Sequence, residues 1–426
     1  MAYYLIGHPL GHSCSPQLHS YFGNEDYHLR DVAEHELKSV VLEGEYDGLN
    51  VTIPYKRQVI PYMDILTPRA EATGAVNTVV RTREGKLLGD NTDIDGMERL
   101  IRSASIDLSG RKVLILGTGG TAHTADWVAR THGAAGVRHV SRTGEIHYGN
   151  VYEACADTEV LINTTPVGMI PDLDGCPVEP ERFPELKAVI DVVYQPLRTT
   201  LTLRARRAGI PAVNGLRMLV EQARAAEELF FARQISDEES AAVYRRLRRS
   251  RTNIVLIGMP GSGKTSVGRL LAQQLGRPFM DTDSMIVETC GTEIPEIFEK
   301  EGEAFFRDRE TEAIRDASCR QGIVVAVGGG APLRDINKQY LRQNGRVYLL
   351  DRSLADLDRT GRPLSSSAKV LEKMLESRLP HYLALADMTV SNHETLARCA
   401  ELIEEDFANE EDTGAERPES EYAGHP

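Results

Sequence analysis

Nothing in this chain approaches a membrane span, since no run comes near the roughly 18 consecutive apolar residues that one requires. A basic surplus is missing as well. Lys and Arg number 49 against 63 Asp and Glu, a formal charge of -14, which argues against wholesale nucleic-acid binding. The six cysteines, at 14, 155, 176, 290, 319 and 399, form no CxxC pair and no metal-ligand spacing. Reduced thiols are therefore expected rather than a disulfide framework. The opening "MAYYLIGHPLGHS" has no basic cluster ahead of a long apolar core, so it reads as a first strand and not a signal peptide. The expected compartment is the cytosol, with small molecules as partners and no obligate protein partner in evidence. No internal sequence repeat is present.

What the chain has is length and alternation. Its 426 residues, 41% hydrophobic and 26% charged, suffice for two or three domains with separate cores. Much of the negative charge is local: residues 401–426 hold ten Asp or Glu and one Arg, so the last part reads as a solvated, disordered tail. Elsewhere strand-like and helix-like patterns alternate, which points to α/β architecture. "YYLIG", "YHLRDVA", "YDGLNVT" and "NTVV" are strand candidates in a first zone. "KVLILG", "VRHVSR", "VLINTT", "AVIDVVY" and "PAVNG" follow as parallel strands with crossover helices. A long helix is expected at 216–232, and "SDEE" at 236–239 resembles a capping box opening another. That helix runs into "RRLRRSRTN", whose five Arg read as a solvated helix end and linker. The expected boundaries are 1–105, 106–245, a linker at 246–252, 253–405 and a tail at 406–426.

Two glycine turns carry the chemistry. "NIVLIGMPGSGKT" (253–265) is an apolar strand, a glycine-rich loop and a Lys-Thr helix start, the full GxxxxGK[ST] phosphate cradle. Backbone N–H groups around Gly261, Ser262 and Gly263 can wrap nucleotide phosphates. Lys264 can reach the β and γ phosphates, and the Thr265 hydroxyl can hold Mg²⁺. Asp281 and Asp283 stand two apart in "RPFMDTDSM" and on a continuous strand would share a face, one near the metal and one on an acceptor hydroxyl. A strand end that caps the next helix is the alternative. Arg307 interrupts an acidic helix, "VGGG" (327–330) is bare backbone open to a ligand, and Arg362 is a candidate lid arginine.

The other turn, "LGTGGTAHT", lacks a third glycine at the GxGxxG spacing, so a turn that only packs is an open alternative. Arg142, at the end of the next strand, stands where an NAD enzyme usually has an acid and favours the 2′-phosphate of NADP(H), with Thr143 adding a hydroxyl. In "HSCSP", Ser13 and Ser15 stand before Pro16 and offer two hydroxyls to a carboxylate. "GDNTDIDG" (89–96) mimics part of a calcium loop, but Arg102 occupies its twelfth position, which rejects calcium. Lys56 with Asp93 would suit reduction of a carbonyl, because the oxygen needs a proton as the hydride adds.

The motifs of 253–395, "GMPGSGKTSVGRLLAQQLG", "FMDTD", "FFRDRE", "VGGG", "GRPL" and "RLPHYLALAD", resemble those of shikimate kinase in order. The resemblance implies that Asp283 grips the hydroxyls of shikimate and helps deprotonate the acceptor. It implies that Arg307 and Arg378 hold its carboxylate, that Gly329 lies against the ring, and that Asp281 supports Mg²⁺ through water. Arg362 would close from the lid, although "RPLSSSA" departs from the more apolar sequence usual there. The stretch 1–235 resembles shikimate dehydrogenase, through "IGHPLGHSCSPQLH", "NVTIPYK", "GAVNTV", "GDNTDIDG", "GTGGTA", "INTTPVGM", "DVVYQPLRTTL" and "NGLRMLVEQA". It implies Lys56 and Asp93 as the catalytic pair, with Ser13, Ser15, Thr52, Asn77, Tyr194 and Gln222 on the substrate. Gly117, Gly119, Gly120, Arg142 and Thr143 would hold NADP(H), with Gly215 and Met218 at the nicotinamide. The bridge 143–159 is short for that family, so a trimmed Rossmann sheet is expected.

The implied fold is an N-terminal α/β substrate domain and a Rossmann domain, followed by a P-loop domain resembling nucleoside-monophosphate kinases. The implied activity is reduction of 3-dehydroshikimate with NADPH, then phosphorylation of shikimate with MgATP. Two alternatives stay open: a non-catalytic sensor of the same metabolites, and a quinate-using dehydrogenase joined to another small-molecule kinase.

Overall fold

The structure, a computed structural model, describes residues 2–11, 13–357 and 368–409. Its chain divides into two compact units. The first comprises 1–167, 177–194 and 208–247, and the second 168–176, 195–207 and 248 onward. Two short segments from the middle of the dehydrogenase-like half thus pack with the kinase-like half, where the sequence suggested a single cut near 250.

The first unit holds two sheets. Strands β1 (Tyr3–Gly7), β2 (Tyr27–Asp31), β3 (Gly48–Val51), β4 (Ile65–Leu66), β5 (Thr78–Arg81) and β6 (Leu87–Asp90) form the first, in the order β2-β1-β3-β5-β6-β4. β1 pairs in parallel with β2 and β3, whereas β5 runs antiparallel to both β3 and β6. All four residues of β3 are buried, as a central strand covered on both faces demands. β4 and β6 are additions to the expected strands. They are short, and the last two residues of "LLGD" already belong to what reads locally as an acidic turn.

The second sheet is wholly parallel, ordered β11-β10-β9-β7-β8 from β7 (Lys112–Leu116), β8 (Gly136–Val140), β9 (Val160–Asn163), β10 (Ala188–Asp191) and β11 (Ala212–Val213). Between β8 and β9 lies only the four-residue helix Val151–Ala154, the compact bridge that the short sequence there required. Strand order reverses direction at β7, so the crevice beyond its carboxyl end is where an open α/β sheet binds ligands. The turn 117–120 occupies that place.

The second unit is built on another parallel sheet, β13-β14-β12-β15-β16, from β12 (Asn253–Ile257), β13 (Phe279–Asp281), β14 (Val324–Ala326), β15 (Gly345–Asp351) and β16 (Met388–Ser391). β12 is buried throughout. Its neighbours β14 and β15 lie on opposite sides, so the phosphate-cradle loop after β12 and the glycine turn after β14 emerge at one end of the sheet. The helix Asp237–Arg251 runs through most of the stretch expected to be a linker, leaving only Thr252 before β12. Glu239 N donates to Ser236 Oγ at 3.1 Å, which bears out the helix start read from "SDEE". The last helix, Leu396–Ala408, extends past 405. All six cysteines are free, and no helix among the described residues is long and apolar enough to cross a membrane.

Candidate active sites

The first unit contains a cavity of about 230 Å³ whose lining includes Ser13, Ser15, Thr52, Lys56, Asn77, Asp93, Tyr194, Gly215, Met218 and Gln222. Every residue expected to act on the substrate of the first reaction is therefore in one place, together with the two expected at the nicotinamide. Lys56 Nζ lies 2.6 Å from Asp93 Oδ2. Asp93 is the first residue of the helix Asp93–Ser103, and its other oxygen accepts from Asn77 Nδ2 at 2.9 Å. The Asn77 amide is itself fixed, because its Oδ1 accepts from Thr92 N at 2.7 Å and from Thr78 Oγ1 at 3.1 Å. Its NH₂ group must then face Asp93, which keeps that carboxylate an acceptor. Ser15 N and Ser15 Oγ contact Ser13 Oγ at 3.2 and 3.0 Å, so the two hydroxyls are adjacent.

Gly117, Gly119, Gly120, Arg142 and Thr143 lie outside that lining and follow strand ends of the second sheet. Gly117 has φ +108°, and a Cβ there would sit 2.7 Å from Thr164 Oγ1, so only glycine suits this turn. At Gly119 and Gly120 a Cβ would meet nothing within 4 Å. That open space lies before the first turn of the helix Gly120–Thr131, as a bound pyrophosphate needs. Arg142 is exposed just beyond β8. The donor set fits a phosphorylated dinucleotide.

The second unit contains a larger cavity, about 660 Å³, lined among others by Gly261, Gly263, Lys264, Thr265, Asp281, Asp283, Arg307, Gly329 and Arg378. Ser262 is buried, and its hydroxyl has no partner among the described residues. Lys264 Nζ donates to the carbonyls of Gly258 and Met259 at 3.0 and 2.9 Å. An orphan hydroxyl and an ammonium on one loop fit the phosphates of a nucleotide. Thr265 Oγ1 donates to Asp281 Oδ2 at 2.7 Å, a hydroxyl and a carboxylate whose hard oxygens fit Mg²⁺. Among the described residues no group of three or more His, Cys, Asp or Glu is arranged as a metal cluster. A site completed by phosphate oxygens and water needs none. Arg362 lies outside the described residues.

One local expectation is corrected. Asp281 and Asp283 do not share a strand face, because β13 ends at Asp281 and the helix Thr282–Cys290 starts at once. Asp281 Oδ1 caps that helix, accepting from Asp283 N at 3.1 Å and Ser284 N at 3.3 Å. Both carboxylates still reach the cavity, Asp281 from the cap and Asp283 from the first turn.

The sequence reading missed Glu310 here, and His19, Tyr27 and Asn50 in the first unit. Glu310 is 1% exposed and lies 2.8 Å from Arg307 NH1. Burial pushes its carboxyl pKa up, against the pull of Arg307. The i, i+3 spacing of Arg307 and Glu310 is a signal that could have found the pair. The glycine turn is pressed against these groups. A Cβ on Gly328 would lie 2.6 Å from Glu310 Oε1 and 2.9 Å from Asp283 Oδ1, and one on Gly330 would lie 2.3 Å from an Arg307 terminal nitrogen. Gly330→Ala is therefore expected to displace the guanidinium while sparing the fold, since the clash falls on a flexible side-chain end. Steady-state kinase assays should show KM for the acceptor raised by up to about 100-fold, with the thermal midpoint nearly unchanged.

A dinucleotide turn beside a Lys–Asp pair, and a phosphate cradle beside two carboxylates and two arginines, define an oxidoreductase joined to a phosphotransferase. Comparison with known proteins gives these classes their families. Residues 5–79 match the model of the shikimate dehydrogenase substrate binding domain, and residues 260–408 that of shikimate kinase. Shikimate dehydrogenase (NADP(+)) of Clostridium perfringens is 32% identical over 266 residues, 57% of this chain and 97% of that protein. The enzyme of that name from Shouchella clausii is 36% identical over 244 residues, 51% of this chain and 88% of that one. Among solved structures, Thermus thermophilus shikimate 5-dehydrogenase in complex with NADP(H) and shikimate superposes with a TM-score of 0.52 at 30% identity, covering 58% of this chain and 99% of that one. Corynebacterium glutamicum quinate dehydrogenase in complex with NAD gives 0.52 at 26%, covering 57% and 98%. The chain belongs to the shikimate dehydrogenase family and carries a shikimate kinase domain after it.

Proposed function

We propose that this chain performs two consecutive reactions on one small hydroxylated carboxylate. The first unit reduces 3-dehydroshikimate to shikimate with NADPH, and the second phosphorylates shikimate to shikimate 3-phosphate with MgATP, toward chorismate and the aromatic amino acids. The observation that carries this reading is the intact Lys56–Asp93 pair in one cavity and the Lys264, Thr265, Asp283, Arg307 and Arg378 set in the other. When bound, NADPH supplies the hydride, and ATP with Mg²⁺ supplies the phosphoryl group.

In the first site, Ser13 and Ser15 bind the substrate carboxylate, and Thr52, Asn77, Tyr194 and Gln222 orient the ring. Lys56 gives a proton to the ketone oxygen as carbon 3 is reduced, and Asp93 holds the ammonium in place. Gly117, Gly119, Gly120, Arg142 and Thr143 would hold NADP(H), with Gly215 and Met218 bordering its reactive ring. In the second site, Arg307 and Arg378 hold the carboxylate, and Asp283 accepts the proton of the attacking hydroxyl. Lys264 offsets charge that develops on the transferring group. Gly261, Ser262 and Gly263 would cradle phosphates, and Thr265 with Asp281 would hold Mg²⁺, with Arg362 closing from the lid. Free cysteines support a reducing, cytosolic compartment.

Two rival readings meet specific residues. A metabolite sensor has no need of Lys56, Asp93, Lys264 and Asp283 together. A quinate enzyme using NAD, like the Corynebacterium glutamicum quinate dehydrogenase in complex with NAD, is disfavoured by Arg142, whose charge suits a 2′-phosphate. The test is to offer the purified chain shikimate or quinate, with NADP⁺ or NAD⁺. Shikimate with NADP⁺ should be the preferred pair, and Arg142→Ala should lower the NADP⁺-over-NAD⁺ ratio of kcat/KM by about tenfold or more. A preference for quinate with NAD⁺ would replace this reading.

A further inference from the structure

One buried titratable pair in the first unit has no part in the chemistry described so far. His19 is 1% exposed and Glu227 0%. His19 lies four residues after Ser15 on the helix Ser15–Tyr21, so the two share a face, and both line the 230 Å³ cavity. Its Nδ1 is 2.5 Å from Glu227 Oε1, which also accepts from Asn24 Nδ2 at 2.9 Å. Its ring stacks on Tyr27, with centroids 3.7 Å apart and planes 6° from parallel. The Tyr27 hydroxyl donates to Asn50 Oδ1 at 2.8 Å, and Tyr27 and Asn50 line the same cavity.

These contacts fix the tautomer. Glu227 Oε1 already accepts from the Asn24 amide and faces Nδ1 as an acceptor, so Nδ1 carries the proton and Nε2 keeps its lone pair. Burial lowers the pKa of this imidazole, opposed by Glu227, which favours the neutral ring. Among the described residues, the hydrogen bond of the His19 ring goes through Nδ1. Nε2 is also absent from the fully enclosed unpaired atoms, so the cavity is what it meets. A ligand that fills the cavity takes water from that nitrogen, and a hydroxyl on the ligand supplies the donor in its place.

We infer that His19 is a further substrate-contact residue of the dehydrogenase site, its Nε2 accepting a hydrogen bond from a ring hydroxyl other than the one oxidised. Glu227 acts through His19 as a positioning residue. The inference rests on the dehydrogenase reading above. It ranks the substrate hydroxyls, since a site built to bind a hydroxyl rejects the analogue lacking it.

The experiment is a cycle of kcat/KM values for NADP⁺-linked oxidation, using the full chain. Substrates are shikimate and its analogues lacking the hydroxyl on carbon 4 or carbon 5. Variants are His19→Asn, which keeps a donor for Glu227 and removes Nε2, and His19→Phe, which keeps a ring on Tyr27. In the unaltered protein one deletion should cost about tenfold or more. In whichever variant folds, the same deletion should cost less than about threefold. If each variant lowers all three substrates by one common factor, His19 is only a brace and the inference falls. If the unaltered protein does not oxidise shikimate, the dehydrogenase reading itself falls and this inference with it.

Discussion

Lys56→Ala is expected to lower kcat for 3-dehydroshikimate reduction by about 10²–10⁴-fold, the range for loss of a positioned acid, while phosphorylation of added shikimate continues. The ammonium stands 2.6 Å from Asp93, inside a cavity that also carries the expected carboxylate-binding serines. Its removal leaves the ketone oxygen without a proton donor as negative charge builds. Asp93 retains Asn77 as a partner, and the Asp93 side chain is 11% exposed, so the fold should tolerate the change. Because the serines and Gln222 are untouched, KM should move far less than kcat, the pattern of a group that acts in the transition state. Following NADPH absorbance at saturating substrate decides the matter. A variant that keeps kcat within about threefold would mean that solvent delivers the proton.

The second large effect concerns stability. A fragment beginning at 248 should fail to reproduce the stability of the second unit, because that unit also contains 168–176 and 195–207. Leu173 is 0% exposed in one core cluster with Val255, Tyr340 and Leu341. Gln343 Nε2 donates to the Leu173 carbonyl at 2.7 Å, and so does the Thr200 hydroxyl at 2.7 Å. Leu197 N donates to Asn344 Oδ1 at 2.9 Å, and Arg198 N to the Gln343 carbonyl at 2.9 Å. The fragment would uncover apolar surface and strip partners from buried amides at the end of the helix Asp335–Asn344. In the intact chain, Leu173→Ala alone should cost about 2–5 kcal/mol, as for other buried leucines. Urea unfolding followed through kinase activity measures both. A fragment with the same midpoint as the intact chain would show the two segments to be dispensable.

The interleaving marks the limit of what local pattern can tell. β7, β9 and β12 are short apolar runs bounded by turns, and both glycine loops sit where strand gives way to helix, so these elements are legible without a structure. Leu173 lies among Pro, Asp and Gly, in "PDLDGCP", where nothing periodic announces a core residue. Its burial depends on residues some 170 positions away. The Asp281–Asp283 spacing misled for a related reason: period-2 reasoning assumes the strand continues, and Asp281 instead ends it by capping a helix. Glu310 and His19 each read as ordinary helix residues, since their value comes from the partners Arg307 and Glu227. The i, i+3 step to Arg307 was legible, whereas the 208 positions between His19 and Glu227 were not. The Lys–Asp pair was suggested by chemistry, but its 37-residue separation meant that only resemblance, and then the fold, joined it.

The most direct measurement is a coupled assay on the purified chain, given 3-dehydroshikimate, NADPH and MgATP, with NADPH loss and ADP formation followed together. Two working sites on one metabolite require both to proceed, with ADP formation dependent on 3-dehydroshikimate and NADPH. NADPH loss without ADP would contradict the kinase assignment, and neither change in the presence of bound ligands would contradict catalysis altogether.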